Sequence, residues 1–191
     1  MMFMKYRMIR KRRRMAVTDY RKRVALLLGG MPRVVIRKSN RNITMQIISF
    51  QPTGDKVAVG INSSELKKYE WAPRSNTPTA YLTGLALAQK AKKLNLEEAV
   101  VDIGIYKPGK ASVIFAAAKG AADGGLKVRN NIEFDEKRIR GMHIADYAKL
   151  IKPDKERYSR QFSGYSEVKF NVEGMEALFE NAKKKIMESR D

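Results

Sequence analysis

The first 23 residues carry a dense cationic run that cannot be buried in a hydrophobic core. Ten basic side chains stand against one carboxylate, Asp19. The basic residues are Lys5, Arg7, Arg10, Lys11, Arg12, Arg13, Arg14, Arg21, Lys22 and Arg23. Clustered like charges repel one another until an anion neutralises them. The core must therefore be built from the rest of the chain, and this run must stay at the surface or contact a polyanion.

The remainder of the chain shares the basic bias. Its 191 residues include 39 Lys and Arg but only 20 Asp and Glu, a formal net charge of +19. Phosphates are the commonest dense anions in cells, so this charge favours nucleic acid as the partner. The run alone is also typical of a nuclear address, a transit peptide, a solvated tail or a polybasic anchor on anionic lipid.

Several kinds of site are excluded by composition. The chain has no Cys, which rules out disulfides, thiolate nucleophiles and Cys-based metal sites. Its single histidine, His143, cannot form a multi-histidine metal site. No apolar run approaches the ~18 residues that span a bilayer. We therefore expect no metal, no cofactor, no small-molecule substrate and no membrane partner.

Three β-branched runs with short turns predict an antiparallel meander. They cover residues 33–39, 43–50 and 56–61, and polar turn residues follow the first two. Residues 99–105 form a further apolar run after a predicted helix, which favours a strand that pairs in parallel. The predicted fold class is therefore α/β, a mixed sheet of the meander plus one further strand, with helices packed on one side.

Helical patterns surround this sheet. We expect a short helix capped by Thr18 and ended by Gly29, with Tyr20, Val24, Leu27 and Leu28 on one face. Further helices are predicted from Thr77 and Pro78, with Gly84 packing on the sheet, over residues 111–122, within 135–151, and on an amphipathic segment around Phe179. The predicted organisation is an extended basic arm (1–17), an α/β core (18–126) and a mainly helical extension (127–191).

Two motifs suggest enzymes, and both are weak. Residues 104–111 follow a strand as a phosphate-binding loop would, but Ala111 lacks the hydroxyl that would bind magnesium and Pro108 lacks a backbone N–H. We interpret Lys107 and Lys110 as cations that contact RNA phosphate. An acidic cluster around Asp102 could hold metal ions for phosphodiester cleavage, but Asp102 is as readily explained by pairing with a Lys or Arg.

The first predicted hairpin is a better candidate binding element. Its strand end and turn present guanidiniums, an ammonium and short polar side chains together: Arg33, Arg37, Lys38, Ser39, Asn40 and Arg41. Arginine matches phosphate in bidentate geometry, and Asn or Ser reach sugar hydroxyls. An exposed charged hairpin without a partner would have the same sequence.

Several blocks, in order, resemble one family. Residues 32–48, 76–84 with 101–104, and 134–147 are similar to the L-eighteen family of large-subunit ribosomal proteins. The last block resembles the extension of its archaeal and eukaryotic branch, and the similarity runs from about Tyr6 to Ile186. Several blocks in one order are far more specific than any one of them.

The resemblance implies a non-enzymatic, cytoplasmic component of the large ribosomal subunit. Family members bind 5S rRNA and help attach it in the central protuberance, and they contact 23S-type rRNA and neighbouring proteins, including the L-five protein. The resemblance also implies a mixed sheet with helices on one side and a basic arm threaded into RNA. Further expected RNA contacts, beyond the cationic run and the hairpin, are Arg74, Asn76, Arg140, Arg157 and Arg160.

Overall fold

A five-stranded mixed sheet forms the centre of the molecule. The computed structural model describes residues 8–107, 109, 111–128, 134–168 and 170–189. The strands are β1 (Arg33–Lys38), β2 (Ile43–Ser49), β3 (Lys56–Asn62), β4 (Glu98–Asp102) and β5 (Lys127–Val128). Their order is β3-β2-β1-β4-β5. The first three are antiparallel, whereas β4 pairs in parallel with β1 and β5 with β4. The predicted fold class is confirmed, with two strands beyond the meander instead of one.

Helices account for most of the other described residues. They are α1 (Lys11–Arg14), α2 (Tyr20–Leu28), α3 (Thr77–Lys93), α4 (Val113–Asp123), α5 (Glu136–Arg140), α6 (Met142–Ile151), α7 (Lys155–Ser166) and α8 (Met175–Glu188), with a 3₁₀ helix at Ser63–Tyr69. The sequence patterns missed three of these elements. The arm expected to be extended contains α1, residues 62–76, for which no helix was predicted, contain the 3₁₀ helix, and α7 lies in a segment without a clear apolar period.

One helix cap lies one residue away from its predicted position, and another helix begins where the sequence predicted. The Asp19 carboxylate, not Thr18, caps α2 by accepting hydrogen bonds from the backbone N–H groups of Arg21 and Lys22. Helix α3 begins at Thr77, and the side chain of Asn76 caps it by accepting from the N–H of Thr79. In both cases an Asp or Asn with an extended backbone provides the oxygen that the first helical turn requires.

Helices α3 and α4 cover one face of the sheet. Val34, Ile36, Met45 and Ile47 point toward them and are fully buried. The two helices cross so closely that a Cβ atom at Gly84 would collide with the carbonyl of Ala117. Gly84 is therefore required for contact between two helices, whereas the sequence pattern predicted packing on the sheet.

The C-terminal part packs back onto α3. Phe179 of α8 lies edge-on to Trp71 at 6.1 Å between ring centroids and 5.7 Å from Tyr81. Phe170 also lies edge-on to Trp71, at 5.3 Å between ring centroids. The predicted apolar face of α8 is confirmed, since Phe179, Ala182 and Ile186 are buried. The extension and the sheet therefore share one hydrophobic cluster.

Candidate nucleic-acid interface

The N-terminal segment, defined as residues 8–28 with α1 and α2, presents a row of exposed cations. Within the described residues, no carboxylate lies within 4.0 Å of the charged groups of Arg10, Lys11, Arg12, Arg13, Arg14, Arg21 and Lys22. Lys5 and Arg7 lie outside the described residues. Since the carboxylates of the described residues do not neutralise this row, its field extends into solvent and attracts anions.

Apolar side chains of the N-terminal segment are exposed as well. The predicted apolar face of α2 exists as a pattern, but the helix has no buried residue. Val24 is 54% exposed and Leu28 is 83% exposed, and Met8, Ile9 and Met15 are exposed too. Several large apolar side chains exposed beside charge are typical of an interaction site. The segment therefore has the properties of a surface that is completed by a partner.

A chain of alternating charges ties α2 to the sheet. Arg23 Nη2 lies 2.7 Å from Asp55 Oδ2, and the same oxygen lies 2.8 Å from Arg33 Nη2. Arg33 Nη1 then lies 2.9 Å from Asp102 Oδ2, and Arg37 Nη2 lies 3.5 Å from the other Asp102 oxygen. We call these five residues the charge chain. It connects α2, the β2–β3 turn, β1 and β4.

The structure places Arg33 away from the surface. Its side chain is 2% exposed and both of its terminal nitrogens face carboxylates. Because Arg33 is itself buried and both terminal nitrogens of its guanidinium are held by carboxylates, it has no open side for phosphate, and the structure does not support Arg33 as an RNA contact. Burial alone raises the pKa of Asp55, but hydrogen bonds from Arg23 and Arg33 outweigh it and hold that pKa below its usual value.

Asp102 acts as the partner of two arginines. Its carboxylate contacts Arg33 and Arg37 and also accepts a hydrogen bond from the N–H of Gly104 at 2.8 Å. In the part of the chain that the structure describes, no three His, Asp or Glu side chains lie close enough to hold a metal ion. The pairing interpretation of Asp102 is therefore the one that the geometry supports.

The β1–β2 hairpin divides its polar residues between two roles. The Ser39 hydroxyl donates to the carbonyl of Asn42 at 2.8 Å and closes the turn. Arg37 donates to the carbonyls of Ile36 and Asp102, although 46% of its side chain stays exposed. Lys38, Asn40 and Arg41 are exposed. Some of the predicted site residues therefore stabilise the hairpin, and the others are exposed and available to a partner.

Arg74 and Asn76 connect the body to the extension. The Arg74 guanidinium donates to the Gly164 carbonyl and lies 5.6 Å from the centroid of the Tyr165 ring. Asn76 donates to the Tyr165 hydroxyl at 2.7 Å. Burial raises the pKa of Tyr165 to about 12, so this hydroxyl stays protonated at neutral pH. Both predicted contacts are half-buried and have structural partners.

Predicted contacts in the extension pair with carboxylates of the extension or are exposed. Arg140 contacts Glu136, Glu176 and Glu180 at 3.4–3.5 Å. Arg160 lies 3.8 Å from Glu156, and Arg157 is exposed. In the preceding loop, Lys107 is exposed, whereas Lys110 lies outside the described residues.

One cleft brings several predicted contacts together. It has a volume of about 290 Å³, lies between the N-terminal segment and the loop after β4, and is lined in part by Arg12, Lys22, Arg37 and Tyr106. Sequence reasoning missed Tyr106, which lies in a loop without periodicity. A second cleft, of about 350 Å³, joins Arg41 to Arg74. None of the helices in the described ranges is long and apolar enough to cross a membrane.

Comparison with known proteins gives a consistent result. The family described as ribosomal large subunit proteins 60S L5 and 50S L18 matches residues 4–100. The large ribosomal subunit protein uL18 of Thermofilum pendens is 44% identical over 189 residues, which covers 97% of this chain and 96% of that protein. The uL18 protein of Methanococcus maripaludis is 42% identical over 186 residues, with 96% of each chain covered. The chain belongs to the family of large-subunit ribosomal proteins that comprises 60S L5 and 50S L18, whose members are structural components and not enzymes.

Proposed function

We propose that this chain is a structural component of the large ribosomal subunit, in the cytoplasm, that binds 5S rRNA and helps attach it in the central protuberance. The family membership supports the ribosomal role. The observation that carries the RNA-binding part is the row of exposed cations on the N-terminal segment, which carboxylates of the described residues leave unneutralised. A structured polyphosphate is the partner with matching charge density.

Binding is driven first by charge neutralisation. The cations of α1 and α2 lie along RNA phosphates and release the counterions condensed there. Each neutralised phosphate makes the logarithm of the affinity fall by about 0.7–0.9 for each tenfold rise in salt. These contacts supply affinity but little discrimination between RNA sequences.

Discrimination comes from shape, through cations held at fixed positions. The charge chain anchors Arg23 and Arg37 to the sheet, so α2 and the hairpin present their charges in one register. The hairpin residues Lys38, Asn40 and Arg41, with Arg74 across the second cleft, contact the RNA backbone and 2′-hydroxyls. Arg33 holds this arrangement together and does not contact RNA.

Other contacts in the subunit complete the proposal. Lys107 and Lys110, and Arg140, Arg157 and Arg160 in the extension, remain expected contacts to 5S or 23S-type rRNA. The exposed apolar side chains of the N-terminal segment are available to neighbouring ribosomal proteins, among them the separate L-five protein. The division into an arm (1–17), a core (18–126) and an extension (127–191) stays part of the proposal.

A binding comparison tests the proposed function. The purified chain is titrated with 5S rRNA and with an unrelated folded RNA of equal length over a range of salt concentrations. We expect at least about tenfold preference for 5S rRNA, because shape-directed contacts add to the phosphate term. A variant that lacks residues 1–17 should lose most of the salt dependence. Equal affinity for both RNAs would overturn the proposal.

A further inference from the structure

The cleft beside α2 lies at the edge of the proposed RNA-binding surface. Its walls are the start of α2, the end of β1 and the loop after β4. Its volume of about 290 Å³ is at the lower limit of small-molecule sites, which begin near 300 Å³. The cleft is therefore large enough for one small polar molecule and too small for a helical segment of nucleic acid.

Charge in the cleft favours an anion. Arg12, Lys22 and Arg37 line it, and the two carboxylates in its wall are already occupied. Asp19 accepts hydrogen bonds from two N–H groups of α2, at 3.0 and 3.2 Å. Asp102 is held by two arginines and by the N–H of Gly104. Since both acids are occupied, the cations dominate the field inside the cleft.

The backbone at Gly104 is shaped to let the Arg37 guanidinium reach the cleft. Gly104 has φ +62°, a left-handed conformation that residues with a side chain rarely adopt. A Cβ atom at this position would lie 3.1–3.2 Å from the guanidinium atoms of Arg37. The loop therefore passes tightly over Arg37, and only glycine allows this approach without displacement.

The remaining wall is apolar and aromatic. Val17, Leu26 and Ile105 line it together with Tyr106. The Tyr106 hydroxyl donates to the Lys38 carbonyl at 2.7 Å. A flat aromatic side chain beside cations is the combination that binds an unstacked base and its phosphate.

We propose that this cleft binds one unpaired nucleotide of the bound RNA, with its phosphate against Lys22, Arg12 and Arg37 and its base against Tyr106. The proposal rests on the proposed RNA binding and deepens it, because the cations at the cleft mouth belong to the same exposed row. A phosphate ester alone would leave the apolar wall uncovered, whereas a nucleotide covers both parts of the site.

Free nucleotides test the cleft independently of 5S rRNA. The isotope-labelled full chain is titrated with uridine and adenosine 5′-monophosphates and, as an anion control, with inorganic phosphate, and amide signals are followed by NMR. We expect saturable shifts at Gly104, Ile105 and Lys22, with both nucleotides binding at least about threefold more tightly than phosphate. Equal binding of phosphate, or shifts that avoid the cleft, would overturn the proposal.

Paired substitutions at Tyr106 separate the ring from its hydroxyl. Tyr106→Phe keeps the ring and should bind nucleotide within about twofold of the parent, whereas Tyr106→Leu should weaken binding about tenfold, as expected for loss of one base–aromatic stack. Core amide signals report whether each variant is folded. If the folded Leu variant binds as the parent does, or if folded Phe and Leu variants lose binding equally, the base does not stack on Tyr106 and the proposal fails.

Measurements of 5S rRNA binding distinguish the proposed nucleotide site from the proposed 5S rRNA-binding function. Tyr106→Leu should weaken 5S binding without changing its salt slope, whereas Lys22→Gln should lower the slope by about 0.7–0.9 and the exposed control Lys93→Gln should leave it unchanged. Unaltered 5S binding by Tyr106→Leu, without nucleotide shifts, removes the cleft site alone. Absent 5S preference with normal nucleotide shifts removes the proposed function and keeps the cleft.

Discussion

The N-terminal segment and the C-terminal extension are both rich in Lys and Arg, but they differ in how many of these charges pair with carboxylates. The segment, residues 8–28, has eight basic residues and one acidic residue. The extension interleaves its basic residues with carboxylates, and Lys152 pairs with Glu173 at 2.9 Å while Lys185 pairs with Glu70 at 2.6 Å. Net charge alone would therefore overstate how much of this chain's basic surface is available to RNA.

The two regions also differ in how far their apolar side chains are buried. Met175, Phe179 and Ile186 of the extension are at most 1% exposed and join the central cluster, whereas α2 has no buried residue. Burial of apolar surface is the main stabilising term in folding, so the extension supports the body. The N-terminal segment contributes little to the stability of the free chain, and its surface stays available for binding.

The largest expected effect is on RNA affinity. Substitution of five cations by glutamine, at Arg10, Lys11, Arg12, Arg13 and Arg14, should lower the salt slope of 5S binding by roughly 3.5–4.5 and the affinity at moderate salt by at least ~100-fold. The free energy of unfolding should change by less than about 1 kcal/mol, because these residues are exposed. Binding titrations at several salt concentrations and urea unfolding measure the two effects.

An equal change of charge in the extension is the matched control. It uses five exposed cations that have no carboxylate within 4.0 Å among the described residues: Lys137, Arg138, Lys149, Lys155 and Lys184. Their substitution by glutamine should reduce the slope by less than a third of the change at the segment. If the two variants lost affinity equally, total charge and not its location would govern binding, and the contrast between the regions would be broken.

Substitutions should affect the free energy of unfolding more in the extension than in the N-terminal segment, the reverse of their expected effect on RNA affinity. Phe179→Ala removes a ring that packs between Trp71 and Tyr81 and should lower the free energy of unfolding by about 3–5 kcal/mol. Leu28→Ala removes an 83% exposed side chain and should stay within about 0.5 kcal/mol. Urea unfolding followed by circular dichroism measures both. A large loss at Leu28 would mean that the N-terminal segment is part of the folded core.

Local signals explain why the sheet could be predicted and other elements could not. The strands β1 to β3 are rich in β-branched residues and have short turns between them, so each was predicted to within one or two residues. Strand β5 has only two residues and shows no period. Helix α7 is polar, and its aromatic residues Phe162 and Tyr165 contact each other, Tyr147 of α6 and Phe170 beyond the end of the helix, contacts that no apolar period within α7 indicates.

Arg33 is buried because it contacts residues that lie far from it in the sequence. Since Val34 and Ile36 are buried against the helices, the period of two in a strand places the Arg33 side chain on the opposite face of β1. Its carboxylate partners Asp55 and Asp102 are 22 and 69 residues away, so only the pairing of β4 with β1 and the path of the β2–β3 turn bring them close. One signal was present, since Asp102 in an apolar strand requires a cationic partner.

Substitutions at Arg33 and Arg37 therefore distinguish a residue that positions the RNA-binding surface from one that contacts RNA. Arg33→Met leaves the two carboxylates without their shared partner and should cost about 3 kcal/mol of unfolding free energy. Arg37→Gln, at a side chain that is 46% exposed, should cost about 1 kcal/mol or less. For RNA, Arg37→Gln should lower the salt slope, whereas folded Arg33→Met should weaken binding without lowering it. A lower slope in Arg33→Met would return Arg33 to the contacts.

The smallest expected effect concerns the link between Asp55 and Arg23, through which α2 is held to the sheet. The folded-state pKa of Asp55 lies below its usual 3.8, so the folded state binds this proton less readily than the unfolded state. Its stabilisation is complete above about pH 3.8 and is lost as the pH falls through the lower folded-state pKa. Unfolding measurements of the parent and Asp55→Asn, from roughly pH 5 to 2.5, should give curves that converge on acidification. If their separation stayed constant, the carboxylate charge would not be what anchors α2, and the N-terminal segment would be held to the body by the half-buried Leu26 and Leu27 instead.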